Sequence, residues 1–218
     1  MLNAKSLSCV RDGKLLFSDI NFKVESGSAL LIKGRNGIGK STLLRMIAGF
    51  IPIKIGRMHL NNSDITNKVD EIALNIGYFG HLGAIKDQLT IEENMVFWNY
   101  LLSGSTELPE DSFHLQDLKS KLVSNCSAGQ KRKLSLSRLL SIEKKIWLLD
   151  EPTTSLDSDS SSILLNLLYD HCRNGGIAII ASHRTLSLPH IQELEILEPN
   201  KKDNELLTKT DPFLSGAW

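Results

Sequence analysis

The chain has no surplus of charge of either sign: 25 Lys and Arg stand against 25 Asp and Glu in 218 residues. Without a basic excess, nothing in the overall charge marks a nucleic-acid binder, and no nucleic-acid partner is expected. Cysteine is scarce. Cys9, Cys126 and Cys172 have no metal-type spacing, and an odd number makes a poor disulfide framework, so a reducing compartment is expected. No apolar run approaches the roughly 18 to 20 residues that cross a bilayer. The opening MLNAKSLSCV lacks a charged stretch leading into an apolar core, so no secretory signal is expected. The expectation is a soluble chain whose membrane role, if any, comes through a partner. What is present is 41% hydrophobic content, enough for one domain with room for a subdomain.

The pattern along the chain alternates strand and helix. Residues 5–10 and 17–24 read as strands around an Asp12-Gly13 turn. Residues 29–32 form a continuous apolar strand, and 40–50 have helical periodicity. Residues 57–60 return as a strand. From 81 to 145 the chain turns helix-rich, with 89–102 and 130–140 the clearest segments and a Gly-, Pro- and Ser-containing loop at 103–112. Buried strands follow at 146–149 and 177–181, around a helix at 160–171. Strand–helix alternation on both sides of a helical insertion argues for an α/β core. The tail from Pro199 is polar and poorly periodic.

Two motifs carry chemistry. Gly34-Arg35-Asn36-Gly37-Ile38-Gly39-Lys40-Ser41 fits the P-loop pattern, with a strand before it and a helix after. Its glycines let backbone N–H groups turn inward on phosphates, and the helix N-terminus adds its dipole. Lys40 can reach the β- and γ-phosphates, and the Ser41 hydroxyl can ligate Mg²⁺. The second motif is Asp150-Glu151 at the end of the apolar run Ile146-Trp147-Leu148-Leu149. It sets two carboxylates at the carboxyl edge of the sheet, where α/β proteins bind ligands. Asp150 would hold Mg²⁺, and Glu151 would act as general base on the attacking water.

A third stretch, Cys126-Ser127-Ala128-Gly129-Gln130, resembles the ABC signature, usually Leu-Ser-Gly-Gly-Gln. With the P-loop, Asp150-Glu151, the Ser155-Leu156-Asp157 D-loop and His183 after a strand, it makes residues 1 to about 200 similar to an ABC-transporter nucleotide-binding domain. That resemblance implies a P-loop NTPase core of ABC ATPase type, an N-terminal antiparallel β subdomain, a helical subdomain at about 81–145 and a tail at 201–218. It implies ATP with Mg²⁺, held by residues 34–42 through Thr42, and a head-to-tail homodimer. In such a dimer Ser127, Ala128, Gly129 and Gln130 would meet the partner's ATP, and His183 would touch the γ-phosphate from within. Cys126, in place of Leu, is expected to pack as a small apolar residue. Lys131, Arg132 and Lys133 could be read as a nucleic-acid patch but are expected to be the solvated first turn of the following helix.

Two positions depart from the family. Tyr78-Phe79-Gly80-His81 puts His81 where the Q-loop usually has Gln. Cys9-Val10-Arg11-Asp12 offers no ring for the adenine, so Arg11 is expected to stack in its place. These departures, with Gly83, Lys86, Leu89, Thr90, Glu93 and Asn94 and the run IWLLDEP, resemble the haem-exporter ATP-binding subunits of bacterial cytochrome c maturation, the CcmA type. The resemblance implies an ATPase on the cytoplasmic face of the inner membrane, beside membrane subunits of the CcmB and CcmC type. An ATPase subunit of another importer or exporter, or a soluble ABC ATPase, are the alternatives. A single cassette without sustained heptads disfavours the last. Residues 81–102, rich in Met and aromatics, are expected to dock a membrane subunit, although Phe97 and Leu101 also suit a subdomain core.

Overall fold

A computed structural model describes residues 1–11, 13–80, 83–188 and 190–199. The described elements run in the order β1 (Leu2–Arg11), β2 (Lys14–Val24), β3 (Ala29–Lys33), α1 (Lys40–Ile47), β4 (Ile55–Leu60), β5 (Ser63–Asp64), α2 (Val69–Asn75), β6 (Ile76–Phe79), α3 (Ile91–Ser103), α4 (Ala128–Ser137), β7 (Ile146–Asp150), α5 (Ser158–Arg173), β8 (Ile177–Ala181) and β9 (Ile191–Glu195). They make an α/β fold with two sheets. One is antiparallel, in the order β2-β1-β4-β5. The other is parallel throughout, in the order β6-β7-β8-β3-β9. This is the architecture of a P-loop NTPase core with an added antiparallel sheet.

The apolar runs of β3, β7 and β8 are continuous because both faces of the parallel sheet are covered. Leu30, Ile32, Leu148 and Ile179 pack toward Phe17 and Phe22 of β2 and Leu43 of α1. Their neighbours Leu31, Leu149 and Ile180 pack on the opposite face against Leu164 and Leu168 of α5 and Phe113. Each such fully buried side chain contributes about 1.5–3 kcal/mol by leaving water.

Between β6 and β7 the described residues hold α3, α4 and three short 3₁₀ turns, at Gln116–Leu118, Val123–Asn125 and Arg138–Ser141, but no strand. Thr90 caps α3 and forms a reciprocal capping box with Glu93. Asn94, fully buried, ties that helix to the preceding loop: its Nδ2 donates to the carbonyls of Lys86 and Thr90, and its Oδ1 accepts from the Lys86 N–H. Thr90, Glu93 and Asn94 of that pattern therefore have a structural reason independent of any partner.

Four elements are absent from the sequence reading: the two-residue β5, α2, β6 and β9. β6 and α2 fall in a segment too short to show a period. The edge strand β9 is mostly solvent-facing, so it lacks the apolar run that betrays β8. Phe97 and Leu101, which by sequence also suit a subdomain core, are 38% and 60% exposed, and Tyr100 is 63% exposed.

Candidate functional site

The strand registers set the site. Ile32 of β3 and Asp150 of β7 both pair with Ala181 of β8, so the carboxyl ends of the three strands are level. The loop after β3 then reverses through Gly34, Gly37 and Gly39, with φ of 144°, 83° and 111°. At Gly34 and Gly39 a side chain also has no room. A Cβ on Gly39 would come within 2.9 Å of the Phe17 ring, and one on Gly34 within 2.9 Å of the Ile196 carbonyl. α1 begins at Lys40 without a side-chain cap and without an acid in its first turn. Its leading N–H groups and positive dipole end are thus left for an anion.

Lys40 is only 6% exposed. Its ammonium donates to the Gly34 carbonyl at 2.8 Å and to that of Arg35 at 3.3 Å, closing over the loop. Next to it the Ser41 hydroxyl donates to Asp150 Oδ1 at 2.9 Å. Asp150 is 2% exposed at the end of β7. Two hard oxygen donors beside an anion-binding loop suit Mg²⁺, which accepts one or two protein oxygens and takes the rest from phosphate and water. Glu151 follows with φ at 46° and donates its N–H to the Ala181 carbonyl at 2.8 Å. Its Oε2 lies 2.9 Å from His183 Nδ1. The sequence marks both residues but not their contact.

A cleft of about 350 Å³ covers this corner. Arg11 and Leu16 line one part of it, the loop and Lys40 to Thr42 another, and Asp150 and Glu151 a third. Arg11 is therefore at the site. Two loop residues turn away: Ile38 is buried in the core, and the exposed Arg35 pairs with Glu198 at 3.2 Å. His81 lies outside the described residues.

The signature stretch is elsewhere. Ser127 caps α4, its Oγ accepting from the Gln130 N–H, while Gln130 Oε1 accepts from the Ser127 N–H. Ser127 and Ala128 are exposed. Ala128 lines a second cleft, of about 470 Å³, bounded also by Gly83, Ile85, Asp87, Thr154 and Ser155, which shares no lining residue with the first. Cys126 is 9% exposed and its thiol faces the Leu122 carbonyl, as a packing residue does.

The basic triplet after Gln130 is not the solvated turn expected of it. Lys131 pairs with Asp87 and Lys133 with Asp157, each at 2.8 Å. Asp157 also caps α5 through the Ser160 N–H, and hydrogen bonding from Lys133 and Ser160 holds its carboxyl well below the usual range. Arg132 is 7% exposed and donates to the carbonyls of Gly80, Asp150, Glu151 and Pro152. Burial lowers its pKa, against the pull of Asp150 and Glu151. Sequence reasoning missed this, although Gly129, Arg132 and Lys133 sit at helical i, i+3, i+4 spacing and so share a face.

The family description "ABC transporter" matches residues 17–154, and the chain belongs to that family. A solved ABC transporter ATP-binding protein from Pyrococcus furiosus has the same fold, with TM-score 0.74 at 24% identity, over 89% of this chain and 96% of that one. So has the ATP-binding cassette MJ0796, a dimer in a post-hydrolysis state bound to ADP and phosphate, with TM-score 0.73 at 20% identity over 90% of this chain and 96% of that one. Within the family the chain groups with the cytochrome c biogenesis ATP-binding export proteins called CcmA. That of Paramagnetospirillum magneticum is 35% identical over 89% of this chain and 93% of its own length. That of Rhodopseudomonas palustris is 37% identical over 86% and 94%.

Proposed function

We propose that the chain is the ATP-hydrolysing subunit of a membrane ABC complex that energises haem export in c-type cytochrome biogenesis. The observation that carries the ATPase reading is the convergence of Lys40, Ser41, Asp150, Glu151 and His183 at one level strand edge, over a loop that only glycine can make. The haem assignment is supported by the likeness to the CcmA proteins.

Each group has a task in this reading. Lys40 exchanges its two carbonyl partners for the β- and γ-phosphates of ATP, where a charge-assisted bond is stronger. Ser41 and Asp150 would hold Mg²⁺, which would supply positive charge against the phosphates. Glu151 accepts a proton from the attacking water. His183 leaves Glu151 for the γ-phosphate, freeing the carboxylate for that work. Arg11 supplies a flat cation for the adenine face. Ser127 and Gln130 spend their acceptor oxygens on their own helix cap, so the Ser127 O–H and the Gln130 amide N–H remain to bind the γ-phosphate of a second copy's ATP. Head-to-tail pairing then completes both sites. His81, at the Q-loop position of the sequence, is read as the link between nucleotide state and residues 81–145, which we read as a helical subdomain. That subdomain presents Phe97, Tyr100 and Leu101 to integral membrane subunits of the CcmB and CcmC type, at the cytoplasmic face of the inner membrane.

The test is Glu151→Gln, which keeps the shape and removes the base. ATP binding should persist while hydrolysis falls by roughly 10² to 10⁴-fold. Trapped ATP should hold a dimer in size-exclusion chromatography with light scattering. Near wild-type turnover would remove Glu151 from the chemistry.

A further inference from the structure

Glu151 occupies a backbone conformation that L-residues avoid, with φ at 46°. Such strain persists only where surrounding contacts over-determine the turn. One brace is its N–H bond to Ala181 of β8. The Thr154 N–H donates to the Glu151 carbonyl at 3.2 Å, and a further brace is a single side chain from a different segment. Arg132 Nη2 donates to the Asp150 carbonyl at 3.1 Å and to that of Glu151 at 2.9 Å, and Nε donates to the Pro152 carbonyl at 3.2 Å. Three successive carbonyls thus converge on one guanidinium. Nη1 reaches the Gly80 carbonyl at 3.1 Å, the residue that follows β6.

A buried cation costs heavily unless its donors are met, and here carbonyls meet them. Only a planar fork of several donors spans such a set, whereas a lysine offers a point charge. The same face of α4 touches the segment twice more. A Cβ on Gly129 would lie 3.0 Å from the Ser155 carbonyl, and Lys133 pairs with Asp157. The first turn of α4, which begins at the signature, is thereby fastened along residues 150–157.

We propose that Arg132 is a positioning residue that holds the Glu151 turn in its strained form, joining the signature helix to the hydrolytic base of the same chain. The proposal rests on the reading of Glu151 as that base. Arg132 lines the signature-side cleft and not the P-loop cleft, so it acts through Glu151 and not on the nucleotide.

The test compares Arg132→Met and Arg132→Lys in the purified full chain, each alone and combined with Glu151→Gln. Steady-state ATPase gives kcat, and equilibrium binding of a non-hydrolysable ATP analogue gives Kd. Arg132→Met should lower kcat by about 10- to 100-fold, the scale of a misplacement near 1 Å. Kd should stay within about twofold, because no nucleotide contact is removed. Arg132→Lys should recover only part of the rate. In the Glu151→Gln background neither change should slow the residual hydrolysis further, since residues acting as one unit are not additive.

Unchanged kcat in Arg132→Met, full rescue by lysine, or a parallel loss of kcat and nucleotide affinity would each overturn the proposal. Should Arg132→Met not fold, the lysine variant and its double mutant decide by the same criteria. Failure of the Glu151 assignment looks different: Glu151→Gln alone would then turn over at the wild-type rate.

Discussion

The helices α1 and α4 both begin beside a Gly-containing motif, yet their N-termini are built oppositely. α1 has no side-chain cap, and its leading N–H groups open into a cleft where Lys40, Ser41, Asp150 and Glu151 of the same chain meet. α4 has a complete capping box, and Ser127 and Ala128 at its start are exposed, Ala128 lining a cleft that shares no residue with the first. One end is a site with a missing ligand contact, the other a contact with a missing site. The difference is what the proposed head-to-tail pairing would use: an open helix end on one copy and a capped, outward one on the other.

The largest effect comes from breaking each end separately. Lys40→Ala should abolish both ATP binding and hydrolysis. Ser127→Asp keeps a good N-cap, so the fold holds. It sets a negative charge where phosphate would approach, so hydrolysis should disappear while ATP binding to the separate chain survives. Mixing the two variants pairs an intact P-loop with an intact signature, and part of the activity should return in an ATPase assay. Absence of any recovery would break the comparison at its root.

Next in size is attachment to the membrane. Tyr100→Asp and Leu101→Asp change exposed side chains of α3 and should release the protein from native membranes in a flotation assay, with basal ATPase intact. Retention of both variants would return this face to ordinary solvent-exposed surface. A smaller change is expected from Arg11→Ala at the rim of the P-loop cleft. Stacking is worth about 1–3 kcal/mol per base when a ring is lost, and an exposed arginine should fall at the low end, a rise in Kd of roughly tenfold or less by titration calorimetry.

The smallest lies far from either end. His171 stacks on Trp147 with ring centroids 3.8 Å apart, and its Nε2 is 3.2 Å from the Ile177 carbonyl. Burial lowers its pKa from 6.5, opposed by bonds to backbone carbonyls. The unfolded chain then binds more protons below that value, so this contribution to stability is present above about pH 6.5 and is lost as pH falls through it. His171→Phe keeps a flat ring on Trp147 and should reduce the drop in Tm between pH 7.5 and 5.5, read by circular dichroism. An unchanged drop would show that acid sensitivity arises elsewhere.

Much of the nucleotide end was legible because its requirements are local. A loop that must reach positive φ three times needs glycine, and a strand buried on both faces needs an unbroken apolar run, so residues 29–41 and 146–151 announce themselves. β9 did not, since a half-exposed edge strand carries no such run. Nor did the exposure of Leu101, because an apolar residue in a helix reads the same whether a core or a partner covers it.

The sequence by itself determined the motifs, the order in which they occur and the chemistry each can perform, because these depend on side-chain type and short spacing. Only the tertiary structure decided which of them meet. It levelled Asp150 with β3 through Ala181, joined Glu151 to His183, and kept Ser127 away from the P-loop cleft. It also drew Arg132 out of an apparent basic patch and under the Glu151 turn. The physical reason is that a charge's role depends on what surrounds it: the same guanidinium is a solvated ornament in water and, once buried among carbonyls, a fixed strut.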